Sequence, residues 1–293
     1  MNRSLFFRTL GENWQERLFG EKRRGKSAGH GRGRAGNRPR VEQLEDRTLL
    51  SVLPAITPTG VVNIGQGNTP SIAYDPLAPQ DMVAVFSTPG GTQLIGEFST
   101  DGGHTWNPLL NPNGVLSDGT FAFATDASVA FDRNHHAFVL FSEENDVANP
   151  GTVLSLQKYD FSTATPTQLF ANALSQWTGT TPVLDPTMAI DTNLRSFSDP
   201  ITHATITDPF VDPVTGEGPL YIAWGQAGTN QIQLIGSIDG GVTFSGQITV
   251  NDPIHTTNAM PKLVVAQGVS SDHPGGGVQG GELSIVWNDF SLV

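Results

Sequence analysis

A chain of 293 residues with 33 Gly, 20 Pro and only 15% charged residues favours an all-β protein rich in turns over a helical one. It holds no Cys, which excludes disulfides, thiolate metal sites and cysteine nucleophiles. The net charge of −12 conceals a split, since residues 1–50 carry 12 Lys+Arg against 6 Asp+Glu and the remainder carries 4 against 22. A body that acidic excludes nucleic acid as a partner, because it lacks the cations that neutralise phosphates. In chain order, the first segment is GEKRRGKSAGHGRGRAGNRPR (Gly20–Arg40), Gly- and Arg-rich with almost no large apolar side chain. It buries too little to offset its ordering entropy, so residues 1–52 are expected to form a disordered basic tail. No apolar run reaches the ~20 residues that span a bilayer, so no transmembrane segment is expected. SLFF (Ser4–Phe7) falls short of the ~7–15-residue core of a secretory signal.

RPRVEQLEDRTLLSV (Arg38–Val52) follows. The stretch Leu44-Glu45-Asp46-Arg47-Thr48-Leu49-Leu50 resembles the LEPR-xLL sorting segment of planctomycete exported proteins, with Asp46 where proline is commoner. What the resemblance implies is an extracellular or cell-surface protein. The Leu44, Leu49, Leu50 spacing also permits a short amphipathic helix.

From residue 55 the sequence is periodic. A short strand ending in an acid recurs as SIAYD (Ser71–Asp75), SVAFD (Ser128–Asp132) and DPFVD (Asp208–Asp212), with KLVVA (Lys262–Ala266) as a fourth copy lacking the acid. Each precedes an apolar strand closed by an aromatic: Phe86, Phe141, Trp224 and Trp287. These nearly continuous apolar runs predict strands buried on both faces, as in stacked blades. Asp75 to Asp132 is 57 residues, close to the length of a four-stranded propeller blade, whereas Asp132 to Asp212 is 80. An insertion is therefore expected near residues 164–205, within a body of about four blades spanning 55–293.

Two octets punctuate the repeat: STDGGHTW (Ser99–Trp106) and SIDGGVTF (Ser237–Phe244), each starting 13 residues after a blade aromatic. Their residue types suit a turn. Aspartate accepts backbone N–H bonds within it, glycine takes a positive φ, and the aromatic covers apolar surface. The pattern resembles the Asp-box, or BNR repeat, of sialidase-like β-propellers. Ser99, Asp101, Gly103, Thr105 and Trp106 match it fully; Ser237, Asp239, Gly241 and Thr243 match in the second copy, where Phe244 replaces Trp. The resemblance implies a sialidase-like propeller of antiparallel four-stranded blades, with the octets as structural turns on its rim. A third version, KYDFSTAT (Lys158–Thr165), keeps Asp160 alone.

The chemistry implied by that family is sparse here. A sialidase holds its substrate carboxylate with three arginines, and residues 51–293 contain two, Arg133 and Arg195. Tyr74, Tyr159 and Tyr221 each read as strand residues, and no catalytic residue is assigned. His135-His136 sits in an expected hairpin turn and reads as solvated. No zinc spacing occurs, and no metal site or cofactor is assigned. DPTMAID and DPFVDPVTGEG offer oxygen ligands for Ca²⁺ as an alternative, without the usual loop pattern. The expectation is a non-catalytic binding module for glycans or cell-surface components. The alternative is a glycoside hydrolase of the sialidase superfamily whose site is completed beyond this chain. A structural or assembly role fits the same repeats. Closed propellers of that family have six blades, so the sequence is expected to be cut short at its C-terminus or to form an open or oligomer-completed propeller.

Overall fold

Apolar runs buried on two faces become the second strand of each four-stranded sheet, and the rest of the fold is laid out around them. A computed structural model describes residues 62–109, 116, 121–145, 151–178, 183–192, 196–198, 205–207, 211, 216–229, 231–252, 258–266 and 281–289. The expected tail and its sorting segment (Leu44, Glu45, Arg47, Leu49, Leu50) lie outside these residues. The first sheet runs β1 (Asn68–Tyr74), β2 (Met82–Ser87), β3 (Leu94–Ser99) and β4 (Asn107–Pro108) in simple meander order. The second is β5 (Phe123–Phe131), β6 (His136–Glu144), β7 (Gly151–Asp160) and β8 (Thr167–Thr178), again in chain order. In the third, β9 (Val183–Ile190) pairs with β12 (Leu220–Gln226), which leads to β13 (Gln231–Ser237) and β14 (Ile248–Thr249). Between β9 and β12 a separate two-stranded sheet holds β10 (Ser196–Ser198) and β11 (Thr205–Thr207). A final antiparallel pair joins β15 (Asn258–Val265) to β16 (Leu283–Asp289).

The sheets are arranged as propeller blades. The first strand of each packs on the first strand of the next: β1 on β5, β5 on β9, β9 on β15. Hydrogen bonds repeat across these junctions, from Val129 N–H to Ser71 Oγ at 3.1 Å and from Met188 N–H to Ser128 Oγ at 3.2 Å. One core fills the first junction, with Val83, Val85, Phe98, Val129 and Phe131. A second fills the next, with Leu154, Leu156, Met188, Ile190, Ile222 and Trp224. Strand β6 serves both. Val139 and Phe141 face the first core, while Phe138 and Leu140 face the second, which is why its sequence alternates nothing polar. Phe86, Phe141 and Trp224 are buried; Trp287, expected as their equivalent, is only half-buried, in a sheet with two described strands.

The structure corrects the repeat. The third inner strand is β9, whose TMAID (Thr187–Asp191) takes the place assigned to Asp208–Asp212. Asp75, Asp132 and Asp191 are then 57 and 59 residues apart, and each is buried. Residues 164–205 are accordingly not one insertion: they hold β8 and β9, and the interruption falls after β9. Pro186 had disguised the strand. It stands where β9 crosses a register shift against β12, between Ala223 and Gly225, a bulge that tolerates proline.

Candidate functional site

The octets form the turns joining the outer two strands, β3 to β4 and β13 to β14. Ser99 Oγ donates to Asp101 Oδ1 at 2.8 Å and accepts the Gly103 N–H at 2.9 Å. Asp101 accepts the Thr105 N–H at 2.8 Å and its hydroxyl at 2.6 Å. The second copy repeats each bond: Ser237 to Asp239 at 2.8 Å, Gly241 N–H to Ser237 at 2.9 Å, and Thr243 to Asp239 at 2.8 and 2.5 Å. The Thr105 hydroxyl, the Thr105 N–H and Ser99 hold the Asp101 carboxyl down at about 2. Burial pushes Asp239 up, yet the Thr243 and Ser237 bonds outweigh it and its carboxyl also lies low. Gly103 and Gly241 adopt φ of 86° and 88°, the left-handed region that suits glycine. Trp106 folds over its own turn and donates Nε1–H to Gly103 O at 3.0 Å. Both it and Phe244 are half-buried, with Phe244 resting on the second core. Carboxylates so fully engaged within a turn are poorly placed for acid–base work.

A different constellation gathers at the starts of the inner strands. Thr69, Asp126, Asp185 and Met260 all have positive φ, between 46° and 56°. Each stands two residues before Ser71, Ser128, Thr187 and Lys262, at a register shift of its strand. The bulge thus recurs in β1, β5, β9 and β15, and in adjacent blades two of the residues at it are acids. Asp126 and Asp185 interact directly. Burial raises the Asp126 carboxyl, and the Asp185 charge raises it further. Opposing these are the Thr125 hydroxyl, the Lys262 ammonium and the backbone N–H of Asp185. Thr125 Oγ1 donates to Asp126 Oδ2 at 3.2 Å. Glu144, at the end of β6 and paired in register with Phe123, is raised by burial and then by Asp126. Three carboxyls from two blades, with one lysine from a third strand pair, therefore share the inner-strand end of the blades.

The opposite ends of the inner strands are tied by carboxylate contacts. Asp75 accepts the Leu77 N–H at 2.7 Å and meets His135 Nδ1 of the second blade at 2.5 Å. Asp132 accepts the Asn134 and His136 N–H groups at 2.7 and 3.0 Å and meets His136 Nδ1 at 2.8 Å. Glu217, ahead of β12, reaches back to the second blade. Its Oε1 lies 2.6 Å from Lys158 Nζ and 3.5 Å from His136 Nδ1. Arg133 Nη1–H donates to Thr192 O at 3.1 Å. The histidine pair expected to be solvated is therefore engaged with buried aspartates. Candidate metal-ligand atoms of Asp132, His136 and Glu217 lie within 4.8 Å of one another. They form a donor set a divalent cation could use. The Lys158 ammonium already stands against Glu217, so the cluster is supplied with a cation of its own and works as a strut between blades.

Sequence reasoning located the octets and the acids Asp75 and Asp132 that close the inner strands, and missed the partners of those acids and the acids at the bulges. Twenty-two acids in the body offered many pairings, and only the bulge register singles out two. The signal that could have found it is the offset of Asp126 and Asp185 from Ser128 and Thr187. Tyr159 is buried in β7 and donates to Gln157 Oε1 at 2.5 Å; burial pushes its phenol well above the ordinary value. It is a strand residue, as are Tyr74 in β1 and Tyr221 in β12. Arg195 and most of Asp208–Asp212 lie outside the described residues.

The class of protein so defined is an all-β repeat of radially packed, antiparallel four-stranded blades. Among the described residues no helix is long and apolar enough to cross a membrane. No protein-family profile matches the chain, and no curated protein matches it. Among solved structures it is similar to a protein of unknown function from Dyadobacter fermentans, at 13% identity and a TM-score of 0.43 over 67% of this chain. It is also similar to an alpha-L-arabinanase from Penicillium chrysogenum, solved with arabinobiose, at 13% identity and a TM-score of 0.43 over 75% of this chain. The chain spans 53% and 62% of the lengths of those two proteins.

Proposed function

We propose that the chain is an exported, sialidase-like Asp-box propeller that binds neutral glycans at the inner-strand ends of its blades. The observation that supports this reading is the approach of Asp126 to Asp185 across a blade junction, both half-buried and on equivalent bulges. Paired carboxylates accept hydrogen bonds from vicinal sugar hydroxyls, and charge-assisted bonds of this kind are the strong ones. Glu144 adds a third acceptor, and Lys262 offers the balancing donor.

An anionic sugar fits poorly. Of the four basic side chains beyond residue 50, Arg133 is bonded to Thr192 O and Lys158 is committed to Glu217. Binding of neutral and sialylated oligosaccharides to the purified chain on an array tests the reading. Neutral ligands are expected to bind, with at least about tenfold loss in Asp126→Asn and Asp185→Asn and none in Asp101→Asn, a loss worth about 1.4 kcal/mol. Absence of any neutral ligand, or binding indifferent to both the Asp126 and Asp185 substitutions, overturns it.

A specific observation also favours catalysis as a second reading. Asp126 and Glu144 both have raised carboxyl pKa values and Asp126 lies beside Asp185, the kind of pairing from which a glycosidase draws its acid and its base. Turnover of a fluorogenic neutral glycoside, lost in Asp126→Asn, selects this reading. Binding without turnover selects the first. For export, the sorting-type segment at Leu44–Leu50 is the support; a tagged full-length chain retained in the cytoplasm counts against it.

A further inference from the structure

An aromatic ring stands next to the inner-strand acids, and the glycan reading has so far given it no role. Three residues before Thr69, Asp126, Asp185 and Met260, the residues at the bulges, come Gln66, Phe123, Pro182 and Thr257. A ring occupies this position in the second blade alone, where the bulge carries Asp126. Phe123 is 39% exposed, in a blade packed on both sides, since β5 meets both β1 and β9. Alternation along β5 sets the direction of the ring. Ala124 is buried in the first core, so Phe123 stands on the opposite face of the sheet, toward the third blade. Glu144 shares that face. It has the same parity in β6 as Leu140, which packs in the second core. Glu144 also pairs in register with Phe123, which sets the two Cβ atoms about 4.5–5.5 Å apart. Two residues further along β5, Thr125 donates its hydroxyl to Asp126 Oδ2. The charge of Asp126 is felt at Glu144, and that of Asp185 at Asp126. A singly exposed aromatic needs no explanation. This one borders a set of carboxyls that two blades bring together.

We infer that Phe123 is the stacking platform of the glycan site, and that the ligand is a neutral hexopyranose lying with one ring face on the phenyl ring and its hydroxyl rim on the neighbouring carboxyls. The inference rests on the glycan-binding reading above and narrows it to a class of sugar. In a pyranose, the ring and hydroxyl oxygens draw electrons from carbon and leave the C–H hydrogens partly positive. A chair gathers several of these hydrogens on one face. The face of a phenyl ring is the negative side of its quadrupole, so it attracts that C–H face while both lose apolar contact with water. The hydroxyls point outward from the sugar's rim, where Asp126, Asp185 and Glu144 accept them. Small-ligand sites generally combine an apolar wall with a few convergent polar groups in this way. Acids alone bind any polyol; the ring selects a closed and rigid one. An open-chain alditol carries similar hydroxyls without a fixed C–H face and gains little from the platform.

The test measures binding of methyl β-galactopyranoside, methyl β-glucopyranoside and the alditols galactitol and glucitol to the full chain by ligand-observed NMR. Wild type is expected to prefer the pyranosides by about tenfold, the order of effect of an aromatic contact and its buried area. The C–H protons of one sugar face are expected to shift upfield in the ring current of Phe123. Phe123→Leu, apolar but without a π face, is expected to lose both the preference and the upfield shift while keeping weak binding through the acids. Phe123→Tyr is expected to keep both. Asp126→Asn instead weakens pyranoside and alditol alike. Thermal melts of each variant separate these effects from a folding defect. Phe123→Leu that binds as wild type, while Asp126→Asn still loses ligand, overturns the platform and leaves the glycan reading standing. A Phe123→Tyr loss equal to that of Phe123→Leu also overturns it, since the ring is then needed for packing alone. A wild-type chain that binds none of these sugars overturns the platform together with the reading beneath it.

Discussion

Val129 donates its backbone N–H to the hydroxyl of Ser71 across 58 residues of chain, and Met188 does the same to Ser128 across 60. A serine side chain, not a ladder bond, links neighbouring inner strands. Replacing either serine with alanine leaves a backbone N–H at a packed junction without its acceptor, which costs about 1–3 kcal/mol. Ser71→Ala and Ser128→Ala are each expected to lower stability by that amount in urea denaturation. The double variant is expected to depart from additivity, because Ser128 adjoins Val129, the donor to Ser71. A neutral result at both sites overturns this account of the junction.

The octets make a prediction about pH. Asp101 has its folded carboxyl depressed to about 2 by Thr105 and Ser99, against an ordinary value of ~3.9. A depressed carboxyl contributes stability above the unfolded value, and the contribution is lost as pH falls through the folded one. Asp101→Asn is therefore expected to be less stable than wild type at neutral pH, the two converging as pH falls from about 4 to about 2. Thermal melts at matched ionic strength read this. A gap that persists at the acid end assigns the loss to geometry instead of charge.

Glycine in the octets carries a second, sharper expectation. Gly103→Ala meets only the left-handed backbone penalty of about 1–2 kcal/mol, because the nearest side-chain atoms, Met82 Sδ and Trp106 Cζ2, are each 3.6 Å from the added carbon. At Gly241 the same carbon lies 3.1 Å from Leu156 and 3.2 Å from Phe170, packed side chains of the neighbouring blade. Gly241→Ala is expected to cost visibly more than Gly103→Ala in parallel denaturation curves. Equal losses contradict the role given to the second octet as an inter-blade contact.

Lys158 and Glu217 form a pair that is largely removed from water and bridges two blades. Removing one partner leaves a charge without compensation, at a cost of about 3–5 kcal/mol, while exchanging both for apolar residues of similar size is close to neutral. Lys158→Met alone is expected to be strongly destabilising, and Lys158→Met with Glu217→Leu to recover most of the loss. A double variant as unstable as the single one shows that His136 and Asp132 depend on Glu217 directly.

What the sequence made legible was what short-range chemistry determines. The octets could be read because every bond in them closes within four residues, from Ser99 to Gly103 and from Asp101 to Thr105. Phe86, Phe141 and Trp224 could be read because burial on both faces leaves an uninterrupted apolar run. The third inner strand was misplaced because Thr187 replaces serine and Pro186 interrupts the apolar pattern, so Asp208–Asp212 looked the better copy. Its x-Ala-x-Asp ending, shared by SIAYD and SVAFD, was present all the same. His135 misled for another reason. Its partner Asp75 is 60 residues away, and only blade stacking brings the two together.

The inner-strand acids yield the last prediction. Asp126 is raised first by burial and next by Asp185, so the folded chain binds a proton more readily there than the unfolded chain does. For a carboxyl raised in this way the sign is the reverse of Asp101: folding is penalised above the folded pKa, and the penalty is relieved as pH falls toward the unfolded value of ~3.9. Asp126→Asn is therefore expected to be more stable than wild type at neutral pH, an advantage that shrinks through the acid range, while losing ligand. A site held at a cost to stability is the usual compromise of function. Carboxyl NMR titration supplies the direct measurement, with Asp126 titrating above ~3.9 in wild type and lower in Asp185→Asn, where burial alone still keeps it raised. An Asp126 that titrates at or below the ordinary value, or that ignores the loss of Asp185, dissolves the pairing on which the glycan-binding site rests.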